Sequence, residues 1–169
     1  MGCHTWFYKR LENPPSKEEM VSKLSTLFNE ELNYIKNNPY KDEFGDSLTN
    51  EEYTYKLNFF ENCLKVVTDN IEFYDENFDD KKITIESLYC HFSYDDIILY
   101  HKGKFYVDSD EYHDLFRKYG YPDDVLESYQ ETLDYINNPD NNCIIYYDGC
   151  YDKLKEYWEK YPDGIICFG

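Results

Sequence analysis

Gly2-Cys3-His4-Thr5-Trp6-Phe7-Tyr8 is the stretch on which the reading of this chain turns. It is short, apolar and aromatic, in a chain where carboxylates outnumber bases by 35 to 17. Such a run is expected in the interior, as the central strand of a sheet. Its Cys-His pair returns at Cys90-His91. The expectation is that the opening strand carries Cys3 and His4 inward, alongside the second pair.

Outward from this strand, Asn13-Pro14-Pro15 breaks the chain. Ser16 with Glu19 forms a capping box, and Met20, Val21, Leu24, Leu27, Phe28, Leu32 and Ile35 follow at helical spacing. Asn37-Asn38-Pro39 stops that helix, and Tyr40 to Ser47 reads as a loop. Thr49 with Glu52 opens a second helix lined by Tyr53, Leu57, Phe60, Leu64, Val67 and Ile71. The acidic stretch from Asp69 to Lys82 reads as a loop or a fraying helix end, and β-branched and aromatic residues from Ile83 to Tyr94 predict a strand around Cys90-His91.

Ile97 to Val107 reads as a hairpin turning at Lys102-Gly103. Asp108 with Glu111 predicts a short helix through Tyr112, Leu115, Phe116 and Tyr119, ended by Gly120. Pro122 then starts a helix through Val125, Leu126, Tyr129, Leu133 and Ile136, which stops at Asn137-Asn138-Pro139. The end of the chain reads strand–helix–strand: Cys143 to Tyr147, a helix with Leu154, Tyr157, Trp158 and Tyr161, and Ile165 to Phe168. Two apolar strands around one helix predict a parallel pair. The fold class expected is α+β (mixed α/β), as a single domain over residues 1–169 with about five strands covered by about five helices.

The chain of 169 residues is long enough to bury a core without a metal or disulfide. Twenty Tyr and eleven Phe supply much of the apolar content, so many phenols are expected at the edge of the core. A formal net charge of −18 repels nucleic acid and anionic membrane, and favours basic partners, cations or plain solubility. The six cysteines lack Cys-x-x-Cys spacing, and Lys9-Arg10 follows the apolar run instead of preceding it. Neither an export signal nor disulfides are expected, and a reducing cytoplasmic setting is. Met-Gly-Cys resembles an acylation start, but Trp6 stands where that pattern needs Ser or Thr. No stretch approaches the ~18 apolar residues of a membrane span.

Four constellations bear on chemistry. Cys3, His4, Cys90 and His91 offer thiolate and imidazole, which suit zinc, although neighbours on a regular strand face opposite sides. No cofactor is otherwise expected. On a helix, His113 and Arg117 would share one face, with Arg117 holding an anion and His113 donating a proton. Arg10 and Arg117 are the two arginines of the chain, which makes Arg117 the leading recognition residue. Cys150, after Asp148-Gly149 at a helix start, is a weaker nucleophile candidate. Acidic runs such as Asp79-Asp80 and Asp108 to Glu111 are read first as solvated surface and second as an imitation of a phosphate backbone.

Met1-Gly2-Cys3-His4-Thr5-Trp6-Phe7, with His113-Asp114-Leu115-Phe116-Arg117, Gly120-Tyr121-Pro122, Leu126 and Ser128, resembles a group of short uncharacterised proteins of bacteriophages and prophage-carrying bacteria. The two patches cover about a fifth of the chain. The resemblance implies a viral protein in the host cytoplasm, where small accessory proteins often act against host defence. The expected function is a non-catalytic binding protein that inhibits or sequesters a host protein or small-molecule ligand, with Arg117, His113, Trp6 and His91 at the contact. The alternatives are a sponge for a nucleotide-type signal, with tyrosines stacking a base and Arg117 holding phosphate, and a zinc-dependent enzyme using the Cys-His pairs.

Overall fold

A computed structural model describes residues 2–78, 82–92, 98–120 and 124–169. The elements are β1 (Gly2–Cys3), β2 (Thr5–Arg10), α1 (Lys17–Asn37), α2 (Asn50–Asp69), β3 (Phe73–Tyr74), β4 (Lys82–Ile83), α3 (Ile85–Phe92) and β5 (Ile98–His101). Then come β6 (Lys104–Asp108), β7 (Phe116–Tyr119), α4 (Tyr129–Asn137), β8 (Cys143–Ile145), α5 (Cys150–Lys160) and β9 (Ile165–Phe168). Short 3₁₀ turns cover Asp110–Tyr112 and Pro139–Asn141. The class is α+β. The chain gathers into two compact units, residues 14–95 and residues 1–13 with 96–169.

The second of these units holds two sheets, ordered β5-β6-β2-β9 and β1-β7-β8. β2 lies inside the four-stranded sheet, antiparallel to both neighbours, with Tyr8 opposite Asp108 on one side and Ile165 on the other. The period of two along β2 splits its side chains between the faces. Phe7 is fully buried and meets Tyr157 edge-on, with ring centroids 5.0 Å apart. Tyr8 packs with Tyr106 and Ile165 on the other face. Burying one such side chain is worth roughly 1.5–3 kcal/mol. The β5–β6 hairpin turns where predicted, with φ of 48° at Lys102 and 80° at Gly103, the left-handed pair of a tight hairpin turn.

The expected parallel pair at the end of the chain does not form. β8 pairs antiparallel with β7, and β9 pairs antiparallel with β2, in different sheets. A turn at Gly164 sets β9 against β2. A Cβ there would lie 2.7 Å from the Tyr8 carbonyl and against the Tyr157 hydroxyl. The helix expected over Asp108 to Tyr119 is instead a 3₁₀ turn followed by β7. Its apolar spacing fits a helix, but the Phe116 backbone is committed to Ile145 and its carbonyl accepts from Thr5 Oγ1 at 2.6 Å. α4 begins at Tyr129 behind the Ser128 cap, and Leu126 forms an isolated bridge with Ile166. Pro122 lies outside the described residues.

The other unit is helical. Ser16 caps α1, and the complete Thr49–Glu52 box caps α2. Phe28 of α1, Phe60 of α2 and Phe92 of α3 meet at 5.2–6.0 Å. The buried positions of α2 are Cys63, Val66 and Val67. The strand predicted around Cys90-His91 is the helix α3. Thr84 and Ser87 cap it reciprocally, the Thr84 N–H donating to Ser87 Oγ (2.8 Å) and the Ser87 N–H to Thr84 Oγ1 (3.1 Å). The stretch read as loop before it includes the small β3–β4 ladder. Both Asn-Asn-Pro stops hold: the N–H of Asn38 donates to Tyr34 O, and that of Asn138 to Asp134 O. Among the described residues no helix is long and apolar enough to cross a membrane.

Candidate functional site at the β6–β7 connection

Of the predicted recognition residues, His113 lies in the connection from Ser109 to Leu115, Trp6 packs against its ring, and Arg117 follows in β7. The connection begins by prolonging the ladder, the Ser109 N–H donating to Phe7 O at 2.7 Å. The 3₁₀ turn then drives Tyr112 into the core at 1% exposure, where its hydroxyl donates to Glu156 at 3.0 Å. The next two residues diverge. His113 is extended, with φ −65° and ψ 151°. Asp114 is left-handed, with φ 59°, a conformation that Asp tolerates better than most residues. Two neighbouring polar side chains are thereby committed to different partners.

His113 turns toward β2 and β6. Its Nε2 lies 3.3 Å from Asp108 Oδ2 and 3.4 Å from Asp110 Oδ1. Its ring stands perpendicular to Trp6, with centroids 5.4 Å apart. Asp108 ends β6, and its Oδ1 is buried without a hydrogen-bond partner. Burial holds the Asp108 carboxyl above the usual carboxylate range; the Asp110 carboxylate adds to this, and the His113 imidazole opposes it. Among the described residues, Asp108, Asp110 and His113 are the His/Cys/Asp/Glu group whose ligand atoms gather within 4.8 Å.

Asp114 turns toward His4, which stands between β1 and β2 and exchanges backbone hydrogen bonds with Gly169. His4 Nδ1 lies 3.7 Å from Asp114 Oδ1, and its Nε2 lies 3.4 Å from Arg117 Nη2. A guanidinium only donates, so this contact is a hydrogen bond in the tautomer that leaves Nε2 free to accept and carries the ring hydrogen on Nδ1, facing Asp114. Arg117 leaves β7, and its Nε is buried without a hydrogen-bond partner. Among the described residues no carboxylate pairs with this guanidinium.

His113 and Arg117 therefore do not share a helical face. Trp6 does meet His113, as a half-buried strand residue. The opening pair is not carried inward: His4 is 57% exposed, and Cys3 is half-buried, its Sγ donating to Gly120 O at 2.7 Å. The cause is the break at His4, where the chain leaves one sheet for the other. Cys90 and His91 lie on α3 of the helical unit. His91 meets the rings of Phe78 and Phe92, each at 4.8 Å, beside an aromatic cavity of about 390 Å³. Cys150 does start α5, but it is fully buried and its thiol is pushed up to about 11, against the needs of a nucleophile.

Two features escaped the sequence reading. Asp108 and Asp110 sit in an acidic run whose simplest reading is solvated surface, although their spacing to His113 is compatible with one shared site. A cavity of about 750 Å³ at the other end of β2 is lined by Lys9, Arg10, Lys160, Tyr161 and Gly164. It gathers three of the chain's seventeen bases, from positions 151 residues apart, which linear spacing does not reveal. Comparison with protein-family models, curated proteins and solved structures finds no match to this chain.

Proposed function

We propose that this is a small acidic binding protein of viral type, acting in the host cytoplasm without catalysis of its own. It captures an anionic group of a host component, a protein or a small molecule, and so inhibits or sequesters it. One observation carries the reading: Arg117 keeps a buried, unpartnered Nε, and its Nη2 lies 3.4 Å from His4 Nε2. A guanidinium left incompletely bonded costs stability, and it offers a planar donor fork to a carboxylate or phosphate. An anion reaching Arg117 satisfies donors that this protein leaves open.

The test compares the full chain with Arg117→Met, both purified natively after expression in bacteria. Bound proteins, and small molecules released by heating, are identified by mass spectrometry, and inorganic phosphate and nucleoside phosphates are titrated by calorimetry. The reading expects an anionic component that is depleted at least tenfold in the variant. Identical bound components and identical titrations for both proteins would remove Arg117 from the site.

The nucleotide-sponge reading draws on the cavity at Lys9, Arg10 and Lys160. Its volume is in the range of small-molecule sites, and Tyr161 supplies an aromatic face among three bases. A nucleotide whose binding is lost with Arg10→Met and kept with Arg117→Met favours this second site.

A further inference from the structure

We propose that Asp108, Asp110 and His113 form a binding site for a first-row divalent cation of the zinc or manganese type. This goes beyond the anion site and uses none of its residues. The distances carry the inference. Ligands at ~2.0–2.2 Å from a tetrahedral metal stand roughly 3.3–3.6 Å from one another. The His113 nitrogen already stands 3.3 Å from an Asp108 oxygen and 3.4 Å from an Asp110 oxygen. The third separation is also within 4.8 Å, so a small swing of Asp110, 93% exposed, closes the set.

The chemistry of the donors narrows the ion. One imidazole with two carboxylates is a borderline set, suited to zinc, manganese or iron and poorly suited to calcium, which takes six to eight oxygens. Three protein ligands leave the remaining positions to water or to a ligand atom. Two further features distinguish the set from a scatter of surface acids. Asp108 Oδ1 is buried and lacks any hydrogen-bond partner, so one of the two carboxylates keeps an oxygen whose bonding the protein does not complete. Trp6 stands perpendicular to the imidazole, bracing the ring that presents Nε2 to both acids.

The competing account is an ion pair, in which protonated His113 alone neutralises the two acids. Cobalt(II) separates the two. The chelator-treated full chain is titrated with Co²⁺ in 0.15 M salt with millimolar Mg²⁺, which occupies weak sites on the acidic surface. One equivalent should bind, with visible ligand-field absorption and quenching of Trp6 fluorescence, and Zn²⁺ should displace it. Asp110→Ala and His113→Asn should each weaken binding by at least tenfold, and Trp6→Phe should remove most of the quenching. Arg117→Met should leave binding unchanged, so this site and the anion site fail separately. Weak, multiple binding that Asp110→Ala does not alter would overturn the proposal. That variant decides the matter even if His113→Asn does not fold, because Asp110 is almost wholly in solvent.

Discussion

Arg117 Nη2 lies 3.4 Å from His4 Nε2, across 113 residues of chain, and no carboxylate among the described residues completes the guanidinium. Under the proposed anion-binding role, local cost and function pull in opposite directions here. Met fills the volume of the Arg stem without a buried donor to satisfy. Arg117→Met is therefore expected to hold or gain stability, by up to about 1 kcal/mol or roughly 2–4 °C in Tm, while anion binding falls. Thermal unfolding of the two proteins without ligand checks this. A loss of more than a few degrees would make Arg117 a structural residue.

Tyr157 joins α5 to the interior ladder. Its hydroxyl lies 2.5 Å from Tyr8 O and 2.9 Å from Ile165 O, offering one hydrogen between two carbonyls of paired strands. Tyr157→Phe is expected to cost about 1–3 kcal/mol, because buried acceptors lose their donor. Gly164→Ala should cost more, since its Cβ would meet the Tyr8 carbonyl at 2.7 Å as well as the same phenol. Urea unfolding should rank them in that order.

Trp158 donates its indole N–H to Thr132 Oγ1 at 3.1 Å, and that hydroxyl donates in turn to Ser128 O at 2.7 Å. Thr132 is fully buried, so Val at this position keeps the shape and strands the indole donor. The expected loss for Thr132→Val is roughly 1–3 kcal/mol, and Trp158→Phe in the same background should recover part of it, as a double-mutant cycle by chemical denaturation would show.

Glu127 bridges the β5–β6 hairpin to the start of α4, with Lys102 Nζ at 3.0 Å and His101 Nε2 at 3.1 Å. Lys102 first and His101 second hold its carboxyl below the usual range. A depressed acid stabilises the fold above its unfolded value and stops doing so as pH falls through its folded value. The stability difference between wild type and Glu127→Gln should therefore be steady near neutrality, begin to fall as pH drops through the ordinary Glu value of about 4.3, and vanish only below the lower folded value. Both partners are partly in solvent, so the difference is small and should shrink further in high salt.

Three thiols should resist alkylation in the folded protein. Cys63 and Cys150 are fully buried, and burial pushes their thiols up to about 12 and about 11. Cys167 is half-buried, and desolvation pushes its thiol up to about 12. Mass-resolved labelling with iodoacetamide near neutral pH should modify them only after denaturant is added. Prompt modification of native Cys150 would restore it as a nucleophile candidate.

Much of the local structure is written into short runs of residues. The capping pairs Ser16–Glu19 and Thr49–Glu52, both Asn-Asn-Pro stops and the Lys102-Gly103 turn depend on partners a few positions away, and all lie where linear reading puts them. The aromatic opening is interior for an equally simple reason, since a chain this charged has few other places to bury Phe7 and Tyr8. The cap of α3 was missed because Ser87 takes the place that Glu or Gln usually fills, so β-branched residues around it suggested a strand.

Other features depend on contacts that no window contains. Tyr112, Leu115, Phe116 and Tyr119 satisfy a helical period as well as a short strand does, and the choice falls to Ile144, Ile145 and Cys143, whose backbone supplies the ladder. The partners of β8 and β9 likewise follow from which free edge each meets after its turn, not from their apolar content. The candidate sites follow from that choice. Because β7 is a strand and Asp114 is left-handed, His113 faces Trp6 and two acids while Arg117 faces His4. Composition settles that a scarce arginine and histidine are available. Pairing across more than a hundred residues settles what each one touches, because hydrogen bonds and packing act through space and take no account of order along the chain.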